Sequence, residues 1–474
     1  MLRSTRQPRG LFEGVTKGNL LWRVGGKNAL HWAAEFAQDD IIKFFMTKGA
    51  DVSAPMVCKQ GKPTGTALHL AAANGHESTV RILLQAGVPL VSGPTDALSW
   101  AAQNGQYHMV QFLMDKGATA SHDALKGAAK AGHIALTQML IDTGSPVNLL
   151  DAPASMFSAP FAPKSALDLA LENGHETIAK LLLATSSRTD FHLRSLSVAA
   201  GKGHEACVRM LLELGAPGLP IKYSPYPSFW GYRNSPQAME MGLFQALHAA
   251  AGRKYVSIVS LLLQHEHDPN KSTSGDYKPL HFAALNYTLP KEGPRHSEAV
   301  AIAELLINAG ASVDARTFIG ETPLHFAVHS RNYQLCDYLT FQGANLEGNQ
   351  SFTTPLQDAA RLGYSEIVDL LLDSGCDIDA RSRHNNTALH FAAMDHQEET
   401  YLLLLRRGAD TSIRSEYNST AFEIFSKPIV DECASGRFDA IRLKNTLSIE
   451  PPHRALLYPF TEIITPDYFL ALDE

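Results

Sequence analysis

The chain has 474 residues, of which 45% are apolar and 19% charged, with a formal charge of -7. That length would suit about three ordinary globular domains; the apolar share excludes a disordered chain, and the negative balance, with no clustered Lys/Arg run, excludes a general nucleic-acid binder. Cys58, Cys207, Cys336, Cys376 and Cys433 are too scattered for a zinc spacing or a disulfide framework. No stretch reaches the ~18 apolar residues of a membrane span, and the basic start Met1-Leu2-Arg3 lacks the apolar core of a signal peptide. The expected compartment is reducing: cytoplasm, nucleus or both.

In chain order, residues 1–25 read as a tail and a partial cap, with Leu11 to Asn19 as its helix. From residue 26 a unit recurs. Its clearest copies are Thr66-Ala67-Leu68-His69-Leu70-Ala71-Ala72, Thr322-Pro323-Leu324-His325-Phe326-Ala327 and Thr387-Ala388-Leu389-His390-Phe391-Ala392-Ala393. A second apolar run follows each, as in Val80 to Leu84 or Val368 to Leu372, and the unit closes on a glycine such as Gly87, Gly310 or Gly375. Thr or Ser caps a first helix, and Pro in its first turn costs no hydrogen bond because that amide has no intrahelical partner. Leucine and the small alanines face inward and let neighbouring units approach closely. Counting by the leucine gives eleven units, at Leu30, Leu68, Leu98, Leu125, Leu167, Leu196, Leu247, Leu280, Leu324, Leu356 and Leu389. The last spacings match a period of about 33 residues. The fourth and sixth units, around Leu125 and Leu196, lack both Thr-Pro and His.

This pattern strongly resembles the ankyrin repeat, over residues 11 to about 445. The resemblance implies an all-α solenoid of about eleven helix-turn-helix repeats with hairpin loops and terminal caps. Repeats then fill 26–216 and 244–417, a cap occupies 418–446, and 447–474 form a Pro-containing acidic and aromatic tail. It also implies that His31, His69, His248, His281, His325 and His390 hydrogen-bond the loops between repeats. His76, His133, His175 and His204, which follow the glycine before the second helix, are read as structural too.

Departures from the repeat are where binding is expected, because insertions in solenoids map to loops on one face. The longest, 217–243, carries Tyr223, Tyr226, Phe229, Trp230 and Tyr232 among prolines. Such rings either anchor a partner or fold back over an imperfect junction. A second insertion lies near 146–163 and a third between Asn286 and Ser297. The tail either docks along the last repeats or serves as a short motif for another protein. In proteins of the family the concave side and loop tips hold partners, so Phe318, Ile319, Phe352, Arg381, Arg383 and His384 join the candidate binding residues.

Chemistry finds little support. No phosphate-cradling glycine loop, nucleophile elbow or HExxH helix is present in the sequence. His265 and His267 supply only local donors, short of the three or four that a closed metal site needs. No cofactor, metal, direct nucleic-acid contact or membrane contact is expected, and the array is expected to be monomeric. The leading reading is a non-enzymatic scaffold or adaptor for protein partners. The alternative is a transcriptional coregulator acting through proteins, by analogy with divergent fungal arrays in secondary-metabolite pathways.

Overall fold

The computed structural model describes residues 26–57, 64–91, 96–147, 164–185, 192–214, 245–273, 275–285, 295–347 and 353–426. The candidates Tyr223, Tyr226, Phe229, Trp230, Tyr232 and Phe352 lie outside these residues, as do the partial cap before residue 26 and the tail. Every named regular element among the described residues is an α-helix, as the repeat pattern requires.

Contacts divide the chain into two units, ending and beginning at Phe318 and Ile319. The first contains eight helix pairs: α1 (Ala29–Glu35) and α2 (Asp39–Thr47), α3 (Ala67–Ala73) and α4 (Glu77–Gln85), α5 (Ala97–Gln103) and α6 (Tyr107–Asp115), α7 (His122–Ala131) and α8 (Ile134–Asp142), α9 (Ala166–Glu172) and α10 (Glu176–Thr185), α11 (His192–Lys202) and α12 (Glu205–Glu213), α13 (Ala246–Gly252) and α14 (Val256–Gln264), α15 (Pro279–Ala284) and α16 (His296–Asn308). The second contains α17 (Pro323–His329) and α18 (Tyr333–Phe341), α19 (Pro355–Leu362) and α20 (Ser365–Asp373), α21 (Ala388–Met394) and α22 (Glu398–Arg406). Residues 421–426 are helical again.

All eleven counting leucines fall in the first helix of a pair, and none is more than 6% exposed. Each fully buried leucine contributes roughly 1.5–3 kcal/mol of transfer free energy. First helices pack on first helices within each unit, and their alanines, such as Ala71, Ala72, Ala359 and Ala360, are completely buried. A larger side chain there would push the neighbouring pair away.

Five of the histidines after those leucines, His31, His248, His281, His325 and His390, bond the hairpins as the resemblance implied. In His31, His281, His325 and His390 the backbone N–H of the helix cap donates to Nδ1 at 3.0–3.2 Å. An amide can only donate, so Nδ1 carries no proton, and the ring's hydrogen sits on Nε2. There it donates to a hairpin carbonyl: Ala54 O, Ala315 O, Thr353 O and Ser419 O respectively. Where the histidine is missing, other side chains take over. Gln357 Nε2 donates to Ala380 O at 2.7 Å, and in the fourth unit His122, three residues before Leu125, bonds Pro146 O at 2.9 Å.

The expected cap helix after Ser419 is built on the same rule. Thr420 N donates to Glu423 Oε2 and Glu423 N to Thr420 Oγ1, a reciprocal cap. Phe425, 8% exposed, stacks on Tyr401 with ring centroids 4.4 Å apart.

Candidate binding surfaces

Three hairpin tips among the described residues are built by the same short backbone turn. In the second unit Ser382 N donates to Asn386 O and Asn385 N to Ser382 O, both at 2.9 Å. The next tip repeats this with Ser415, Asn418 and Ser419. Asn385 and Asn418 hold φ of 58° and 59°, a left-handed conformation that asparagine tolerates better than most residues. In the first unit Thr273, Asp276 and Tyr277 form the same turn, with Asp276 at φ 59°.

Turns of this kind aim the two preceding residues outward. Arg383 and His384 are both exposed on one tip, and Glu416 and Tyr417, the latter 74% exposed, on the next. The two tips are fastened together. Glu416 N donates to His384 O at 3.0 Å, Asn385 Nδ2 to Arg414 O at 2.5 Å, and His384 Nδ1 lies 2.7 Å from Glu416 Oε1. Arg381, also exposed, donates to Asn385 Oδ1 at 3.2 Å. The His384 hydrogen bond holds the Glu416 carboxyl below its ordinary range, and the neighbouring Glu416 carboxylate raises the Tyr417 hydroxyl. The result is a held surface offering two guanidinium groups, an imidazole, a carboxylate and a phenol.

Phe318 stands at the matching place on a tip of the first unit, 46% exposed, with its N–H on Gly275 O at 3.1 Å. Ile319, which opens the second unit, is half-buried. Glu416 and Tyr417 were not among the residues expected from sequence, yet the signal was present. Arg381-Ser382-Arg383-His384-Asn385-Asn386-Thr387 and Arg414-Ser415-Glu416-Tyr417-Asn418-Ser419-Thr420 share four residue types in register. A second exposed apolar feature lies on α1. Trp32 and Phe36 stack at 6.2 Å, with Lys27 Nζ 4.7 Å from the Trp32 ring centre.

A charged cluster ties α17 to α19. Asp358, 3% exposed, accepts from Thr353 Oγ1 at 2.9 Å and Arg361 Nη2 at 3.1 Å, and His329 Nε2 is 3.1 Å from its other oxygen. Burial opposes the Asp358 charge, but His329, His325 and Arg361 outweigh it and hold the carboxyl low. The Asp358 hydrogen bond in turn raises His329. Each oxygen of Asp358 is engaged, so the cluster acts as a brace between helices. Among the described residues no group of three or more His, Cys, Asp or Glu is arranged to hold a metal ion, and no helix is long and apolar enough to cross a membrane.

Comparison with known proteins agrees with this geometry. The family model described as ankyrin repeats (3 copies) matches residues 30–126, 125–218, 295–382 and 342–415, and that described as ankyrin repeat matches 244–274. A transient receptor potential cation channel subfamily A member 1 homolog of Caenorhabditis elegans is 32% identical over 99 residues, 21% of this chain and 8% of that protein. Inversin of Danio rerio is 45% identical over 62 residues, 13% of this chain and 6% of that protein. The matches thus span less than a tenth of either relative's length. Among solved structures, the ankyrin repeat domain of Bcl-3 aligns with 22% identity and a TM-score of 0.39, over 51% of this chain and 95% of that one.

Proposed function

We propose that this chain, which belongs to the ankyrin-repeat family, is a scaffold or adaptor that holds a protein partner on its hairpin tips without chemistry of its own. Ankyrin repeats are in general protein-binding modules. The finer reading rests on one observation: Arg383, His384, Glu416 and Tyr417 are exposed, while the backbone beneath them is fastened by hydrogen bonds from tip to tip. A surface ordered before binding loses little entropy on binding, which favours affinity. Adjacent cationic and anionic groups favour a partner segment carrying both signs, and Tyr417 supplies the apolar contact. The expected setting is the cytoplasm or the nucleus.

The test is proximity labelling in the native cell. It compares the wild type with a variant carrying Arg383→Glu and Tyr417→Ser, and with one in which Tyr223, Tyr226, Phe229 and Trp230 are serine, after circular dichroism shows all three folded. Loss of a defined partner set with the tip variant supports this reading. Loss only with the aromatic variant moves the site to 217–243, and an unchanged set in both rejects tip and insertion alike. A partner set dominated by nuclear transcription factors turns the scaffold into a coregulator.

A further inference from the structure

Seven residues after the counting leucine, the repeat turns out of its first helix through a left-handed residue. That residue is glycine at Gly75, Gly105, Gly132, Gly174, Gly203 and Gly363, all with φ between 73° and 86°. Elsewhere it carries a side chain: Ala37, Arg331 and His396 have φ of 52°, 50° and 54°, and Lys254, in the seventh repeat, has 65°. A side chain here carries backbone strain that glycine avoids. The Lys254 side chain is also buried, 6% exposed, where a charge is costly unless fully engaged.

Backbone carbonyls engage it. Lys254 Nζ donates to Ala283 O at 2.5 Å, Leu285 O at 2.7 Å and Phe282 O at 3.1 Å, with Ala251 O at 3.5 Å. Lys254 reaches these carbonyls where α15 ends: Leu285 is extended, at φ -70° and ψ 143°. In α3 the matching carbonyls of Leu70 and Ala71 accept the amides of Asn74 and His76 as the chain turns back. Leu285 O has its own counterparts five residues after the counting leucine: Glu35 O, Gln103 O, Lys130 O and Glu172 O. Those four accept from His76, His133, His175 and His204, imidazoles reaching back from the following repeat. At α15 the donor reaches forward from the preceding repeat.

We propose that the carbonyl oxygens of Ala251, Phe282, Ala283 and Leu285 form a cation site for a primary ammonium ion, which the chain fills with Lys254 to hold α13 against the end of α15. Carbonyl oxygens converging from two helix ends match the three N–H donors of a primary ammonium, which a sodium ion lacks. Burial pulls the Lys254 pKa down to about 7 and Glu298 pulls it up. Three carbonyl oxygens within 3.1 Å add to the upward pull, since a neutral amine has only two hydrogens to give them.

The test uses the full chain and hydrogen exchange read peptide by peptide. Lys254→Gly relieves the strain and restores the residue found at the six glycine positions, so a purely steric junction would be as protected as the wild type or more so. The cation site instead predicts at least a tenfold loss of protection over 279–285, with 388–394 unchanged. Ethylammonium chloride restores that protection in Lys254→Gly, sodium chloride at equal ionic strength does not, and neither salt changes the wild type. Lys254→Met, which fills the space with methylenes, loses protection without recovery; if it fails to fold, the Lys254→Gly comparison stands alone. Full protection in Lys254→Gly, or recovery by sodium and ethylammonium alike, overturns the proposal.

Discussion

The junctions at Gly174 and at Lys254 solve one problem in opposite directions. At Gly174 the left-handed residue has no side chain, and the space is filled from the next repeat. A β-carbon built there would lie 2.7 Å from His204 Nδ1, because that ring rests on the glycine while its Nε2 donates to Glu172 O at 3.0 Å. At Lys254 the left-handed residue supplies the donor itself. The difference teaches that what the junction conserves physically is a served carbonyl at the end of the first helix, not a particular residue. An orphan acceptor shielded from water costs more than the strain or desolvation needed to satisfy it.

The largest expected effect comes from the buried histidine on the Lys254 side. His248 is fully buried, and burial pulls its pKa down to about 4. Its ring is neutral in the folded chain and titrates near 6.5 when unfolded, so the unfolded state takes up the proton first as pH falls. Its contribution is complete above pH 6.5 and declines toward pH 4, by on the order of 3 kcal/mol. Denaturant midpoints against pH, wild type beside His248→Gln, should fall more steeply in the wild type, since His390 and His267, also lowered by burial, keep part of the slope in the variant. His329 has the opposite sign: Asp358 raises its pKa, so its contribution is present below the unfolded value and fades as pH climbs through the raised one.

Next in size is Gly174→Ala, which forces alanine into φ 77° and drives its β-carbon into the His204 ring. A loss of about 2 kcal/mol in urea unfolding is expected. His204→Ala, which strands Glu172 O, should cost about 1 kcal/mol. The double variant should lose less than the sum, because the clash disappears with the ring. Strict additivity would show that ring and glycine are not coupled, and the contrast with Lys254 would fall. The smallest effect belongs to the tip: Glu416→Gln should leave the unfolding midpoint where it is, since the pair with His384 is exposed, while altering partner capture.

Much of this was legible beforehand. Leu68, His69, Ala71 and Ala72 announce a capped helix with a buried face, and the same pattern located all eleven first helices. The exposure of Arg381, Arg383 and His384 on a hairpin was legible in the sequence, and that of their neighbours Glu416 and Tyr417 was not. The two tips share a shorter repeat, Arg-Ser at 381 and 414 with Asn385 and Asn418 in register, which the large apolar residues and insertions overshadow in the sequence. His122 and Gln357 were unreadable as hairpin anchors, because what each bonds, Pro146 O and Ala380 O, lies more than twenty residues away.

By itself the sequence determined the fold and its period, since capping, helical spacing and small residues at fixed offsets are local properties that every copy restates. Only the tertiary structure decided how each helix end is served. Whether a carbonyl receives its hydrogen from the histidine of the next repeat or the lysine of the one before depends on where the chain leaves the helix and which side chain then lies within three ångströms. Lys254 in isolation is one lysine among forty-one basic residues; four oxygens brought together by two packed helices give it a role.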